Sequence, residues 1–150
     1  MKTIMCLVIL LVMGVFTSCE SDDDKLMNIV AGTWNLSKIN FKRDIKSDSL
    51  VTYTNSFLQF DNCGTGKGGC NGYLKLNTSE KLPFIYTPSA KAQEITISYQ
   101  GEFSKVSTMT LLGLFDIDNV SSSSMTLKGK VLTRQSTGLV ELYAEIQMKK

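Results

Sequence analysis

Along most of the chain apolar residues fall at every second position, the spacing of a strand with one buried and one wet face. The last segment is the clearest. Val140, Leu142, Ala144, Ile146 and Met148 share one face, and Glu141, Glu145 and Gln147 share the other. Ile95, Ile97 and Tyr99 repeat the pattern over 94–99, as do Met125, Leu127 and Val131 over 125–133, with Lys128 and Lys130 opposite. Along 33–42, Trp34 and Leu36 point one way and then Ile39 and Phe41 do. The phase slips by one between the two pairs, which predicts a β-bulge near Ser37. Further strands are predicted at 50–61, 72–77, 83–87 and 103–117, the last broken near Thr108. Turns are predicted at 100–102 and 135–138, and a loop at 121–124. Only 26–31 departs from alternation. Its apolar positions fit one or two helical turns, with Asp24 as the candidate N-cap.

About eight short antiparallel strands, two prolines and no helix long enough for a βαβ crossover predict an all-β barrel or sandwich. An eight-stranded barrel either fills its interior with side chains or holds one small ligand.

The first 18 residues stand apart. Lys2 is a positive n-region, and 4–16 is an apolar stretch broken only by Gly14. It is shorter than the ~20 residues that span a bilayer, and it fits a secretory signal peptide. Removing 1–18 from the 150 residues leaves 132; since Lys2 is the only charged residue lost, the 16 basic and 14 acidic side chains become 15 and 14. This is one domain by length, assigned to 26–150. The near-neutral balance excludes the basic face that a nucleic-acid binder needs. Histidine is absent, which removes Ser–His–Asp and Cys–His catalysis and every His-ligated metal site. No catalytic residue, cofactor or metal is expected.

The signal ends Phe16-Thr17-Ser18-Cys19, which resembles the lipobox of bacterial lipoproteins. The resemblance implies that Cys19 becomes the lipidated mature N-terminus. Glu20-Ser21-Asp22-Asp23-Asp24-Lys25 follows. So polar a run cannot join a core, and 19–25 reads as lipidated Cys plus solvated tether. The run also resembles the acidic tag of surface-exposed Bacteroidetes-type lipoproteins. That implies attachment to the outer membrane by the lipid, facing the medium and its oxidising conditions.

Gly32-Thr33-Trp34 opens the first strand straight after the helical segment. Gly allows a tight turn, and a lone Trp at a barrel's end makes a large plug. Gly-x-Trp ahead of about eight short strands resembles the lipocalin/calycin superfamily. With the lipobox and acidic tag, residues 29–148 resemble the lipocalin-like domain of Bacteroidetes lipoproteins. Phe57-Leu58-Gln59-Phe60-Asp61 and Ser123-Ser124-Met125-Thr126-Leu127 fit the same domain. The resemblance implies an up-and-down barrel, a plug built on Gly32 and Trp34, and an Arg from a late strand packed on the Trp ring. Arg134 is the only Arg after Arg43 and is the candidate. Fatty-acid-binding proteins also carry Gly-Thr-Trp, but they follow it with two helices, where 43–60 here reads as turn and strand.

Cys63 and Cys70 flank a Gly-rich loop, and outside the cytoplasm they read as a disulfide. Asp116 and Asp118 lie on one side of a strand end and are read as turn chemistry, with a Ca²⁺ site or acid/base pair as the alternative. Glu141 and Glu145 are four residues apart on a strand, so ~13 Å apart, too far to act as a catalytic pair. A ligand inside the barrel would meet the inward faces. The candidate lining residues are Val140, Leu142, Ala144, Ile146, Tyr53, Phe57 and Tyr99. Two roles follow. The barrel mouth binds a small apolar or amphipathic molecule, or a filled barrel engages a surface protein or glycan through its outside.

Overall fold

The computed structural model describes residues 21–42, 48–52, 54–63, 68–77 and 81–150. The signal peptide, Cys19, Tyr53 and the middle of the Gly-rich loop therefore lie outside the described residues. Among the described residues one helix, α1 (Asp22–Val30), precedes nine strands: β1 (Gly32–Lys42), β2 (Asp48–Val51), β3 (Phe57–Phe60), β4 (Cys70–Lys75), β5 (Leu82–Ser89), β6 (Glu94–Tyr99), β7 (Met109–Asp118), β8 (Ser124–Gln135) and β9 (Gly138–Lys149). A 3-10 turn, η1 (Phe103–Lys105), joins β6 to β7.

Every pairing is antiparallel, and β9 returns to β1 to close the sheet. β2 and β3 both lie on the same edge of β1, at residues 39–42 and 32–35 respectively. Together they make one interrupted strand, so the closed barrel has eight staves in up-and-down order. Sequence alternation predicted this strand as continuous over 50–61. Asn55, in the left-handed region at φ 55°, lies in the break. The predicted bulge at Ser37 is present as a register shift between Leu36 and Lys38 against β9.

The start of the chain differs from the expected tether. Ser21 is the N-cap, Asp24 is at the third helical position, and the two form a reciprocal capping box. Asp22, Asp23 and Asp24 thus fill the first turn, where backbone N–H groups and the helix dipole favour negative charge. The acidic run is helix from Asp22 onward, and Asp24 supports the cap instead of being it.

α1 lies across one end of the barrel, here the base, and buries Leu26, Met27 and Val30. Trp34 is fully buried beside it, and its Nε1–H donates to the Val30 carbonyl at 2.6 Å. On β3 and β5, the strands either side of β4, Phe60, Phe84 and Tyr86 pack edge to face, with ring centres 5.0 to 6.4 Å apart. Leu58, Ile39, Ile95, Met109, Leu111, Phe115, Leu127, Val131, Ala144 and Ile146 continue the interior with no exposed surface. Contact with a water-sized void would leave area on these side chains, and they have none. This is native close packing along the barrel.

Two inward positions are glycines because a ring occupies their space. A Cβ on Gly129 would stand 2.5 Å from the Phe115 ring and 2.6 Å from the Leu114 carbonyl oxygen. Gly72 is similarly closed by Phe84 and the Gln59 carbonyl. Cys63 and Cys70 are joined as predicted, with Cα atoms 5.4 Å apart. The bridge ties the β3–β4 connection to the base, where Cys70 Sγ lies 3.8 Å from Met27 Sδ.

Candidate functional site

The predicted lining residues do not form one surface. Ala144 and Ile146 are buried in the packed interior. Val140 and Leu142 are half-buried, nearer the rim opposite α1. Tyr99 is half-buried at the same rim, 5.2 Å from Phe103, and its hydroxyl donates to the Glu102 carbonyl at 3.1 Å. Phe57 faces outward, since its neighbour Leu58 takes the inward position on the four-residue β3. It packs edge-on against Tyr73 at 5.8 Å, with Lys75 Nζ 5.8 Å from its ring centre. Tyr53 lies outside the described residues.

The plug is also assembled differently. Gly32 adopts φ 118° at the head of β1, and Trp34 fills the base as expected. Arg134 is not its partner. It sits opposite Leu139 at the far end of β8, whereas Asn35, next to Trp34, pairs with Lys149. Ten residues of β9 separate those two registers, ~33 Å at strand rise. Arg134 instead holds η1, donating from Nη2 to the Phe103 carbonyl at 2.8 Å and from Nε to the Val106 carbonyl. The cation on Trp34 is Lys150, whose Nζ lies 4.6 Å from the ring centre.

The outer wall carries a feature that alternation did not reveal. In β7, Leu111 pairs with Val131 and Phe115 with Gly129, so residues 112–114 face Lys130 alone. On the other side the β6 ladder reaches only Gly113. Leu112 therefore has no ladder partner on either side. Gly113 takes φ 106°, a conformation that glycine adopts at no steric cost. This three-against-one bulge turns the apolar run outward: Leu112 is 36% and Leu114 53% exposed. The sequence signal is a set of apolar residues at 111, 112 and 114 around Gly113, which breaks the alternation within a segment that otherwise fits a strand.

The bulge opens a depression of about 410 Å³ across β7, β8 and β9, within the size range of small binding sites. Leu112, Leu114, Leu132 and Tyr143 give it an apolar lining, and Tyr143 is 39% exposed. Charged groups fringe it. Lys130 Nζ pairs with Glu141 at 2.7 Å, and Lys128 Nζ with Asp118 at 2.7 Å. The hydrogen bond from Lys128 holds the Asp118 carboxyl below its usual range. Asp118 is thus engaged by a cation and followed by a left-handed Asn119 at the strand end. Asp116 lines the same depression, opposite Lys128 in the β7–β8 register.

Among the described residues, no three His, Cys, Asp or Glu side chains cluster to hold a metal ion. No helix among them is long and apolar enough to cross a membrane. Comparison with known proteins assigns no family: no family model, curated protein or solved structure matches the chain.

Proposed function

We propose that this chain is a non-catalytic, lipid-anchored surface protein whose barrel is a filled scaffold and whose work is done on its outer wall. The observation that carries the reading is the contrast between inside and outside. Trp34, Leu58, Phe115 and Ile146 have no exposed surface inside the barrel, while Leu112 and Leu114 are turned to solvent over an interrupted ladder. An exposed tyrosine set among apolar side chains and rimmed by charge has the apolar centre and polar rim of a protein-binding patch. The proposed partner is another surface protein that inserts an apolar side chain between Leu114, Leu132 and Tyr143. This favours the interaction module over a carrier with its ligand in the barrel.

Attachment belongs to the same proposal. The lipobox-like Phe16–Cys19 segment supplies the lipid site, and the acidic residues after it support export to the outer-membrane surface. A photo-crosslinking residue placed at Leu114 in cells tests the groove. The expected result is one discrete crosslinked product that is absent when the same residue replaces Asn71, an exposed position on β4, three strands away from β7. Equal patterns from both positions overturn the assignment.

A further inference from the structure

We infer that the α1 end of the barrel is the face that rests against the lipid bilayer, held there by an anchor too short to let the barrel turn. The inference rests on the proposed lipidation of Cys19. Capping starts at Ser21, so two chain steps separate the lipidated residue from a folded helix. Two residues reach at most ~7 Å. A tether of six or seven residues would reach several times farther and leave the barrel free.

The helix cannot swing outward to lengthen that reach. Its first turn is fastened by Asp23, whose Oδ1 accepts from the Ala90 N–H at 2.7 Å. Its middle is fastened by Asn62, which donates to Asn28 Oδ1 at 2.9 Å. Its end is fastened twice, by Trp34 to the Val30 carbonyl at 2.6 Å and by Lys150 to the Ile29 carbonyl at 3.0 Å. Leu26, Met27 and Val30 are buried beneath these bonds. Detaching α1 would expose that apolar face together with Trp34.

The surface around the helix combines an acidic first turn, Asp22 to Asp24, with an apolar hollow that a layer of neutral lipid headgroups can cover. Beside the first turn lies a depression of about 230 Å³ lined by Leu26, Ile29, Ala90, Ile117 and Val120, with Asp22 and Lys25 at its edge. Ile29 is 38% exposed there. The lipid matrix thus meets an apolar hollow within reach of its own anchor. The opposite rim, with η1 and the β8–β9 turn, stands ~25–30 Å farther out for twelve-residue strands tilted by ~40°. The groove on β7–β9 lies along the wall between the two ends and stays open to a partner.

The test uses the full chain, lipidated in a bacterial host and reconstituted into phosphatidylcholine vesicles that carry a spin-labelled headgroup. An environment-sensitive fluorophore is attached to Lys91→Cys, at the base, or to Ser136→Cys, at the far rim; both positions are exposed. The base probe is expected to lose most of its fluorescence to the headgroup quencher, and the rim probe to lose none. Inserting twenty Gly/Ser residues between Glu20 and Ser21 is expected to abolish the difference. A vesicle-bound chain with equal quenching at both positions overturns the orientation alone. A chain that stays in the supernatant overturns the anchor, and the orientation with it.

Discussion

Lys150 serves Trp34 and α1 together: its ammonium lies 4.6 Å from the ring centre and donates to the Ile29 carbonyl at 3.0 Å. A cation at a helix C-terminus satisfies an orphan carbonyl and complements the dipole. The same charge gains from the ring's quadrupole. Lys150→Met is expected to lower stability by about 0.5–1 kcal/mol, the range for an exposed cation–π contact. Trp34 is the chain's single Trp, so intrinsic fluorescence reads this site alone. The emission is expected to shift in Lys150→Met and to stay unchanged in Arg134→Met.

The packed interior makes truncations costly. Leu58 is fully buried in a barrel wall whose strands are tied on both sides. Such a wall collapses poorly around a void, so Leu58→Ala is expected to cost about 2–5 kcal/mol. Overfilling is costly as well. Gly129→Ala drives a methyl into the Phe115 ring and the Leu114 carbonyl, with an expected loss of about 1–3 kcal/mol. Chemical denaturation of the two variants measures both values.

Reduction of Cys63–Cys70 is expected to lower stability by about 2–3 kcal/mol, because the bridge closes a short loop in the unfolded chain. Denaturant midpoints with and without a reductant measure it. The fold itself is expected to persist, since β3 and β4 remain paired from Phe57–Lys75 to Phe60–Gly72.

Tyr86 gives the barrel an alkaline limit. Its hydroxyl donates to the Asp61 carbonyl at 2.7 Å. Burial first, and the negative charge of Asp61 second, push its pKa up to about 12. The unfolded phenol titrates near ~10. Above that pH the unfolded chain releases a proton that the folded chain keeps. The stabilisation is therefore full below pH ~10 and is lost as pH rises toward ~12. Denaturant midpoints across this range are expected to fall more steeply for the parent than for Tyr86→Phe.

Much of the barrel was legible because alternation is a local property. β6 falls on the predicted 94–99, and the slip between Leu36 and Ile39 located a real bulge. What alternation cannot carry is which strand end meets which. Arg134 and Lys150 are equally cationic in the sequence, and only the β8–β9 and β1–β9 registers decide which of them reaches Trp34. The break between β2 and β3 turns on the backbone of residues such as Asn55, which is set by the edge of β1 that both strands share. Phe103–Lys105 carries apolar and polar residues that fit a strand, but it forms a turn, with Arg134 donating to the Phe103 and Val106 carbonyls. The groove was hidden for a related reason. In a dense apolar run such as 109–115, burial depends on where the ladder is interrupted, and that is a relation between strands.

The most direct test of a filled barrel is native mass spectrometry of residues 21–150, purified gently from lysate and compared before and after denaturation. A bare chain mass, lowered by ~2 Da for the Cys63–Cys70 bond, is the predicted result. A stoichiometric small-molecule adduct that disappears on unfolding would contradict it and return the barrel to the role of a carrier.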